Sequence, residues 1–552
     1  MKTTALAAAL AATLLASTGT LAKTIELDGS NLTIAAAMEI ARGEADVAVT
    51  PEAKKRLEDT FTLVMAAARK GMAVYGLTTG VGLNKDKKLF DANGELSEEV
   101  LKASQTFNRN MLLAHAAGVA PMMSVEETRL YMAIRLNTLL RGQTGAQPRI
   151  AEVLTEFLNK DVIPVVPARG SMGEADITLG AHIGAAMMGD WFVWKDGAQV
   201  PAADVLKEKG ITPLKPQGKD GLAIISSNAG GAAMALKAYV DARKTLDMTP
   251  CVFAMSLQGL NGNVAPFLPQ SLSVHPFPGL VEAGEAILAK LDGSSLWEAD
   301  SKRALQDPLS FRTTAYTLAE AENALNEYER ILLIQMNSSD DNPGVMVDPD
   351  QKYSETSQVA RYFFEENGIK GAIIPTANFN PLPLVAAIQR TAVAFTHLSH
   401  SSVQRTLHLS YDQFTKLPRF LQAPENKGHA FGAIAKPYVT LHAENMSLAS
   451  PVSFFGTPVA GEIEDTFTNL VYASERFQRI VDNLGRIHSL ELFHGTQAVD
   501  LRERMEPKTK LSPELQKLHD EYRKVVPFVS EDRVFTPDIE NGAVFIRNYE
   551  LK

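Results

Sequence analysis

The sequence predicts an all-α protein with minor β content, built as a bundle of long helices. Three observations point to this class. Apolar residues recur at helical spacing through four stretches of the second half: Leu318 to Met336, Leu384 to Leu409, Tyr438 to Leu448 and Asp465 to Leu490. The second stretch carries Leu384, Ile388, Ala392, Phe395, Leu398 and Ser402 at core spacing and, apart from Arg390, little charge before Arg405. A helix so apolar on most faces belongs inside a bundle. Strand signals are short and scattered, and no internal repeat or low-complexity segment stands out.

Taken from the N-terminus, Lys2 precedes an apolar stretch from Ala5 to Ala16, and small residues up to Ala22 suit cleavage before Lys23. This pattern predicts a signal peptide over residues 1–22, and hence an exported mature chain, periplasmic or secreted. No other segment is apolar for long enough to span a membrane. Cys251 is the single cysteine, so stability has to come from packing and oligomerisation rather than from an intramolecular disulfide.

From Asp28 to about Arg69 the pattern reads as helical. The loop YGLTTGVGLNKDKK, Tyr75 to Lys88, follows, and Gly76, Gly80 and Gly82 let it approach a ligand closely. It lacks the lysine-serine ending and the preceding strand of a phosphate loop. Ser124 to Glu127 forms a capping-box pattern that opens a helix bearing Leu130, Ala133, Ile134, Leu136, Leu139 and Leu140 and ending at Gly142. Asn137 lies beside that apolar face and needs partners, either in a helix–helix hydrogen bond or in shaping a site. Residues from about Asn228 to Leu246 read as helix despite Gly230-Gly231, and a Pro/Gly-rich region follows from Pro250 to Gly279. A soft boundary near residue 245 then divides an N-terminal domain that holds the active-site loops (23–245) from a central and C-terminal helical bundle (246–552).

With 552 residues, 45% hydrophobic and 21% charged, the composition is that of a globular protein with a large core. The net charge of −10 is spread without long runs of either sign, which argues against nucleic acid as a partner.

The segment RGSMGEAD, Arg169 to Asp176, is the most site-like stretch. Two glycines three apart, a serine and two carboxylates form a polar turn just before an apolar helix, and Glu174 and Asp176 fall near the helix N-terminus, where negative charge is favoured. Other polar or aromatic residues in turns between helices are Tyr75, Arg312 in QDPLSFR, Asn378 and Phe379 in TANFNPLP, and Glu462, Glu464 and Asp465 in GEIED. A tyrosine in such a place serves as a base if cations or helix N-termini lower its pKa. An arginine holds a carboxylate through its planar fork. Glu464 can move a proton or pair with a cation. Each also has a structural reading as a packed tyrosine, a salt-bridged arginine or a cap. His397, His400 and His408 share one helix without the i, i+4 spacing of a zinc-protease motif, so no metal site is expected. Neither a G-x-S-x-G elbow nor a dinucleotide fingerprint is found.

Several blocks occur in an order that resembles the aromatic amino acid ammonia-lyases: Tyr75 to Gly82, FNRNMLLAHAAGV (Phe107 to Val119), TRLYMAIRLNTLLRGQTG (Thr128 to Gly145), GLAII (Gly221 to Ile225), QDPLSFR, DDNP (Asp340 to Pro343) and ANF (Ala377 to Phe379). The resemblance covers nearly all of the chain after the leader. It implies a bundle of that family's type, a homotetramer with active sites shared between subunits, β-proton abstraction by Tyr75 and carboxylate binding by Arg312.

The family's electrophile is a methylidene-imidazolone ring cyclised from Ala-Ser-Gly. This chain departs there, reading Gly170-Ser171-Met172-Gly173-Glu174-Ala175-Asp176, one residue shorter, with no serine to supply the methylidene carbon. A second departure puts Ser226 at the family's asparagine, with Asn228 two places on. The resemblance therefore implies a chain without the ring and without any other cofactor. The ring makes ammonia a viable leaving group; a trimethylammonium leaves as neutral trimethylamine without that help.

The ring-less branch of the family, the ergothionases, eliminates trimethylamine from ergothioneine to give thiourocanate, and this chain resembles that branch. On this reading Glu174 or Asp176 faces the trimethylammonium, Lys436 and Glu464 contact the thioimidazole, and Phe379 packs on the substrate, with Asn378 and Asn228 as further binding residues. The alternatives are an ammonia-lyase acting on histidine or another aromatic amino acid, and an exported binding protein that has lost catalysis.

Overall fold

Two long helices form the axis of the bundle, Ala229–Leu260 and Leu470–Met505. They approach closely where small residues meet: a Cβ on Gly259 would lie 2.8 Å from the Ala498 Cβ and 3.1 Å from the Gly495 carbonyl oxygen. The helices Thr314–Met336 and Leu382–Leu409 pack alongside them. Inside, the Arg405 guanidinium and the Glu491 carboxylate pair at 2.5 Å with both side chains buried. Arg405 also donates to the Ser310 carbonyl, which ties the QDPLSFR segment to the bundle. The computed structural model describes residues 23–81 and 98–551; residues 1–22, where a signal peptide is expected, and the part of the glycine loop from Gly82 to Lys88 lie outside them.

The class is the expected one, mostly helical with short strands. The Ser124–Glu127 capping box forms with both of its hydrogen bonds and opens the helix Val125–Leu140. Asn137 is fully buried and structural: it accepts from the Gly29 amide and donates to the Met336 carbonyl and the Asn337 side chain, holding the N-terminal segment to the end of Thr314–Met336.

Three elements differ from the sequence expectation. The stretch from Asp28 to Arg69 is two helices, Ile34–Ala41 and Pro51–Arg69, separated by the strand Ala45–Val49, which pairs in parallel with Lys23–Leu27. Gly43, at φ +70°, turns the chain, and Thr50 with Pro51 opens the second helix. Residue 245, the expected soft boundary, lies inside Ala229–Leu260, which continues through Pro250. Residues 248–260 are all buried, so packing outweighs the backbone hydrogen bond that proline removes. Leu470–Met505 likewise runs 15 residues beyond Leu490, through a buried stretch.

A small antiparallel sheet of Gly344–Val347, Ile369–Ile374 and Phe363–Glu366 covers one end of Pro51–Arg69. Leu63, Val64, Ala67 and Ala68 form a separate apolar cluster with Val345 and Ile373 beneath it. Among the described residues, no helix is long and apolar enough to cross a membrane.

Candidate active site

The site is built over a buried ionic frame. Arg135 pairs with Asp340 at 3.3 Å and with Asp341 at 3.1 Å, and all three side chains are almost wholly shielded from water. Thr144 donates to Asp341 at 2.7 Å, and the Lys219 ammonium stands 3.9 Å from the same carboxylate. Asp340 accepts from the Ser227 hydroxyl and the Asn228 amide, both at 2.8 Å. Burial pushes Asp340 up to about 6, against the pull of Arg135, and pulls Lys219 down to about 8. The consequence is geometric: the DDNP segment holds the turn Ser226–Asn228 at the start of the central helix.

The RGSMGEAD loop is stitched to that turn. The Asp176 amide donates to the Ser227 carbonyl, and the Ala175 amide to the Asn228 side-chain oxygen at 3.1 Å. Asn228 in turn donates to the Phe379 carbonyl. The Asp176 carboxylate is fully buried. It accepts from the Ser171 hydroxyl at 2.6 Å and from the Gly231 amide, in the first turn of the central helix, at 2.8 Å. Burial raises it to about 6, opposed by those donors. On the other side of the loop, Thr468 and Asn469 donate to the Met172 and Gly173 carbonyls. Gly173, at φ +83°, has to be glycine, because a Cβ there would overlap the Thr468 hydroxyl.

These contacts leave a cavity of about 960 Å³ into which Tyr75, Glu174, Phe379 and Glu464 all face. Gly76, at φ +72°, presses the tyrosine loop so closely on Leu222 that a Cβ would overlap that side chain. Glu174 and Glu464 are mutually repelling, half-buried carboxyls. Burial first, and then the charge of Glu464, push Glu174 up to about 7; burial also raises Glu464, opposed by His115. Asn380 donates to Glu174 at 3.2 Å. A cavity holding two carboxyls and aromatic walls can bind a cation, with a phenol beside it for proton transfer.

Of the residues singled out from sequence, Asn228 and Asp176 form the scaffold behind the cavity. Arg312 lines a different cavity of about 510 Å³, and its Nε donates to the Asp307 carbonyl at 2.8 Å. Lys436, in the first turn of Ala435–Leu448, and Asn378, in the turn before Leu382–Leu409, are exposed and outside the cavity lining. Ser226 and Asn342, read from sequence only as family positions, also line the cavity, and polar lining residues that sequence reasoning missed include Thr376, Arg361 and Tyr362. The last two lie in the 349–374 segment, which carried no motif. His400 meets His442 at 3.2 Å, and the described residues hold no group of three or more ligands placed for a metal. Positions 172–176 contain no serine, and the Ser171 hydroxyl is held by Asp176; what this loop sends into the cavity is the Glu174 carboxyl.

Long helices thus frame a loop-built cavity that presents a tyrosine and two carboxyls. A family model described as aromatic amino acid lyase matches residues 32–524, and the chain belongs to that family. It is 30% identical over 529 residues to a histidine ammonia-lyase from Anaeromyxobacter dehalogenans, covering 94% of this chain and 97% of that one. Among solved structures it is similar to the ergothioneine-degrading enzyme ergothionase from Treponema denticola, solved with desmethyl-ergothioneine sulfonic acid: 33% identity, TM-score 0.85, and coverage of 95% of this chain and 99% of that one. Tyrosine aminomutase from Streptomyces globisporus is similar at 25% identity and TM-score 0.82, covering 95% and 97%.

Proposed function

We propose that the protein eliminates trimethylamine from ergothioneine, or a related aromatic betaine, to give thiourocanate, and that it does so without a methylidene-imidazolone. The observation that carries this reading is the Glu174–Glu464 pair: the loop that would supply the ring's serine supplies a carboxyl instead, and that carboxyl faces a second one across the cavity. Two carboxyls sharing a site repel unless a cation lies between them, and a trimethylammonium is such a cation. Tyr75, acting as the base, takes the β-proton. The C–H electron pair becomes the new C=C bond, the C–N pair leaves on neutral trimethylamine, and the phenol returns its proton to water. Phe379 supplies an apolar face for the substrate.

Arg312 and Lys436 stand apart from the cavity of their own chain. We assign them to a neighbouring copy's cavity in a homotetramer with shared sites, Arg312 on the substrate carboxylate and Lys436 with Glu464 on the ring. Exposed apolar residues flank both: Leu305 and Leu309 beside Arg312, Val439 and Met446 on the helix of Lys436. Export to the periplasm or beyond belongs to the same proposal and rests on residues 1–22.

The test is to incubate the purified protein with ergothioneine, hercynine and histidine, following the conjugated acid by absorbance alongside trimethylamine and ammonia assays. Trimethylamine from ergothioneine is expected. Ammonia from histidine would instead support the second reading, which the relatives named histidine ammonia-lyase favour. No product from any of the three would leave the binding-protein reading.

A further inference from the structure

The cavity has a positive pole as well as a negative one. Among the described residues that line it, Arg361 is the only lysine or arginine. It lies in the 3₁₀ turn Ala360–Tyr362, which feeds directly into the edge strand Phe363–Glu366. That strand is firmly mounted. Its neighbour Ile369–Ile374 packs Gly371 against Leu63, and Glu366 pairs with Arg69 at 3.3 Å and Lys70 at 3.1 Å at the end of Pro51–Arg69. The backbone that carries Arg361, an exposed residue at the edge of the cavity, is thereby fixed.

Arg361 is also oriented locally. Its Nη2 donates to the Tyr362 hydroxyl at 2.7 Å, and its guanidinium carbon lies 4.8 Å from the centre of the Tyr362 ring. Tyr362 lines the cavity too. One nitrogen of the fork is therefore engaged by the neighbouring phenol, and Arg361 makes no ion pair with a carboxylate among the described residues. An arginine braced on an aromatic ring, with donors left over, has the geometry that recognises a carboxylate.

We propose that Arg361, braced by Tyr362, is a carboxylate-recognition residue of this cavity, so that one chain by itself presents both poles of a zwitterion site: Arg361 for the carboxylate, and Glu174 with Glu464 for the cation. The inference rests on the functional reading above for its substrate class, a compact zwitterion carrying a carboxylate and a cationic nitrogen. It assigns Arg361 a share of the hold on the substrate carboxylate, alongside Arg312 of a neighbouring copy, that is the same in the bound substrate and in the transition state. Such a hold shows in KM rather than kcat.

The experiment uses the full-length protein and the variants Arg361→Met, Arg361→Lys and Tyr362→Phe. Binding of L-histidine and of histamine, which lacks the carboxylate, is measured by calorimetry; turnover of ergothioneine is measured in parallel. Wild type is expected to prefer histidine, Arg361→Met to lose that preference by about tenfold or more, and Arg361→Lys to regain part of it. The KM for ergothioneine should rise by a similar factor in Arg361→Met with kcat nearly unchanged. Tyr362→Phe should give a smaller change in the same direction. A wild type with no preference for histidine over histamine, or an Arg361→Met that keeps it, overturns the proposal. Failure to release trimethylamine from ergothioneine would overturn the functional reading instead, because the binding difference is read without turnover.

Discussion

Replacing Glu174 by glutamine keeps the shape of the RGSMGEAD loop and removes one charge from the cavity. In the folded protein burial and the neighbouring Glu464 lift Glu174 from 4.5 to about 7, which corresponds to about 3 kcal/mol of electrostatic cost to the ionised form. A bound cation recovers that cost. Because the side chain is only half-buried, solvent screens part of it, and about 2 kcal/mol remains for the interaction. The expected result above pH 8 is a KM for ergothioneine raised about thirtyfold in Glu174→Gln. The cation disappears as trimethylamine leaves, so the carboxylate favours bound substrate over the transition state, and kcat should stay level or rise slightly.

The pH dependence follows with a definite sign. Lowering the pH through 7 protonates Glu174 and removes the charge. Wild-type kcat/KM should therefore fall below pH 7, by about fourfold from pH 7 to pH 6, and level off at the value of Glu174→Gln, which shows no such decline from this group. At pH 6, where about a tenth of wild-type Glu174 is ionised, the two proteins should differ only about fourfold. Steady-state kinetics from pH 6 to 9 measures all of this. A hundredfold loss in kcat at unchanged KM would refute the cation role and make Glu174 a proton-transfer group; a mutant profile identical to wild type would remove it as the titrating residue.

Four further outcomes are expected. Tyr75→Phe should lower kcat by roughly 10²–10⁴ with an unchanged melting temperature, and retention of most activity would remove Tyr75 as the base. Intact mass of the purified protein should equal that of the unmodified chain, with or without residues 1–22, whereas a mass lower by two waters would mean that a ring forms after all. Mixing inactive Tyr75→Phe and Arg312→Met subunits under reassembly should restore part of the activity if cavities are shared between copies; no recovery would place both residues in one chain's site. Arg135→Met strands Asp340 and Asp341 without their cation and should cost about 3–5 kcal/mol in urea denaturation, and a loss below about 1 kcal/mol would show that the frame does not hold the fold.

The buried frame explains why the site sits where it does. The DDNP carboxylates lie far in sequence from both RGSMGEAD and the Ser226–Asn228 turn, yet Asp340 bonds the turn, Asp176 bonds the first amides of the central helix, and Thr468 closes the loop from the other side. Glu464 comes opposite Glu174 because the segment carrying it is tied through Thr468 and Asn469 to Met172 and Gly173. The pairing that carries the functional proposal is thus produced by backbone hydrogen bonds to a glycine-bearing loop.

Much of this protein was legible in the order of its residues. Helical periodicity located the long helices, the Ser124–Glu127 box set one helix start, and the ordered blocks identified the family; Tyr75, Glu174, Phe379 and Glu464 were singled out and share one cavity. These features are local, depending on side-chain period, caps and motifs that each occupy a few successive positions. What only the tertiary structure decided depends on burial and on distant partners. Proline at 250 reads as a helix stop until the bundle buries the residues beyond it. Asp176 and Glu174 are equivalent as letters in RGSMGEAD, but one is folded inward against Ser171 and Gly231 and the other outward into the cavity. Arg361 carries no motif at all, and becomes a cavity residue only because an antiparallel sheet, packed on Leu63 and Val64, brings residues almost 300 positions away from Tyr75 to the same opening.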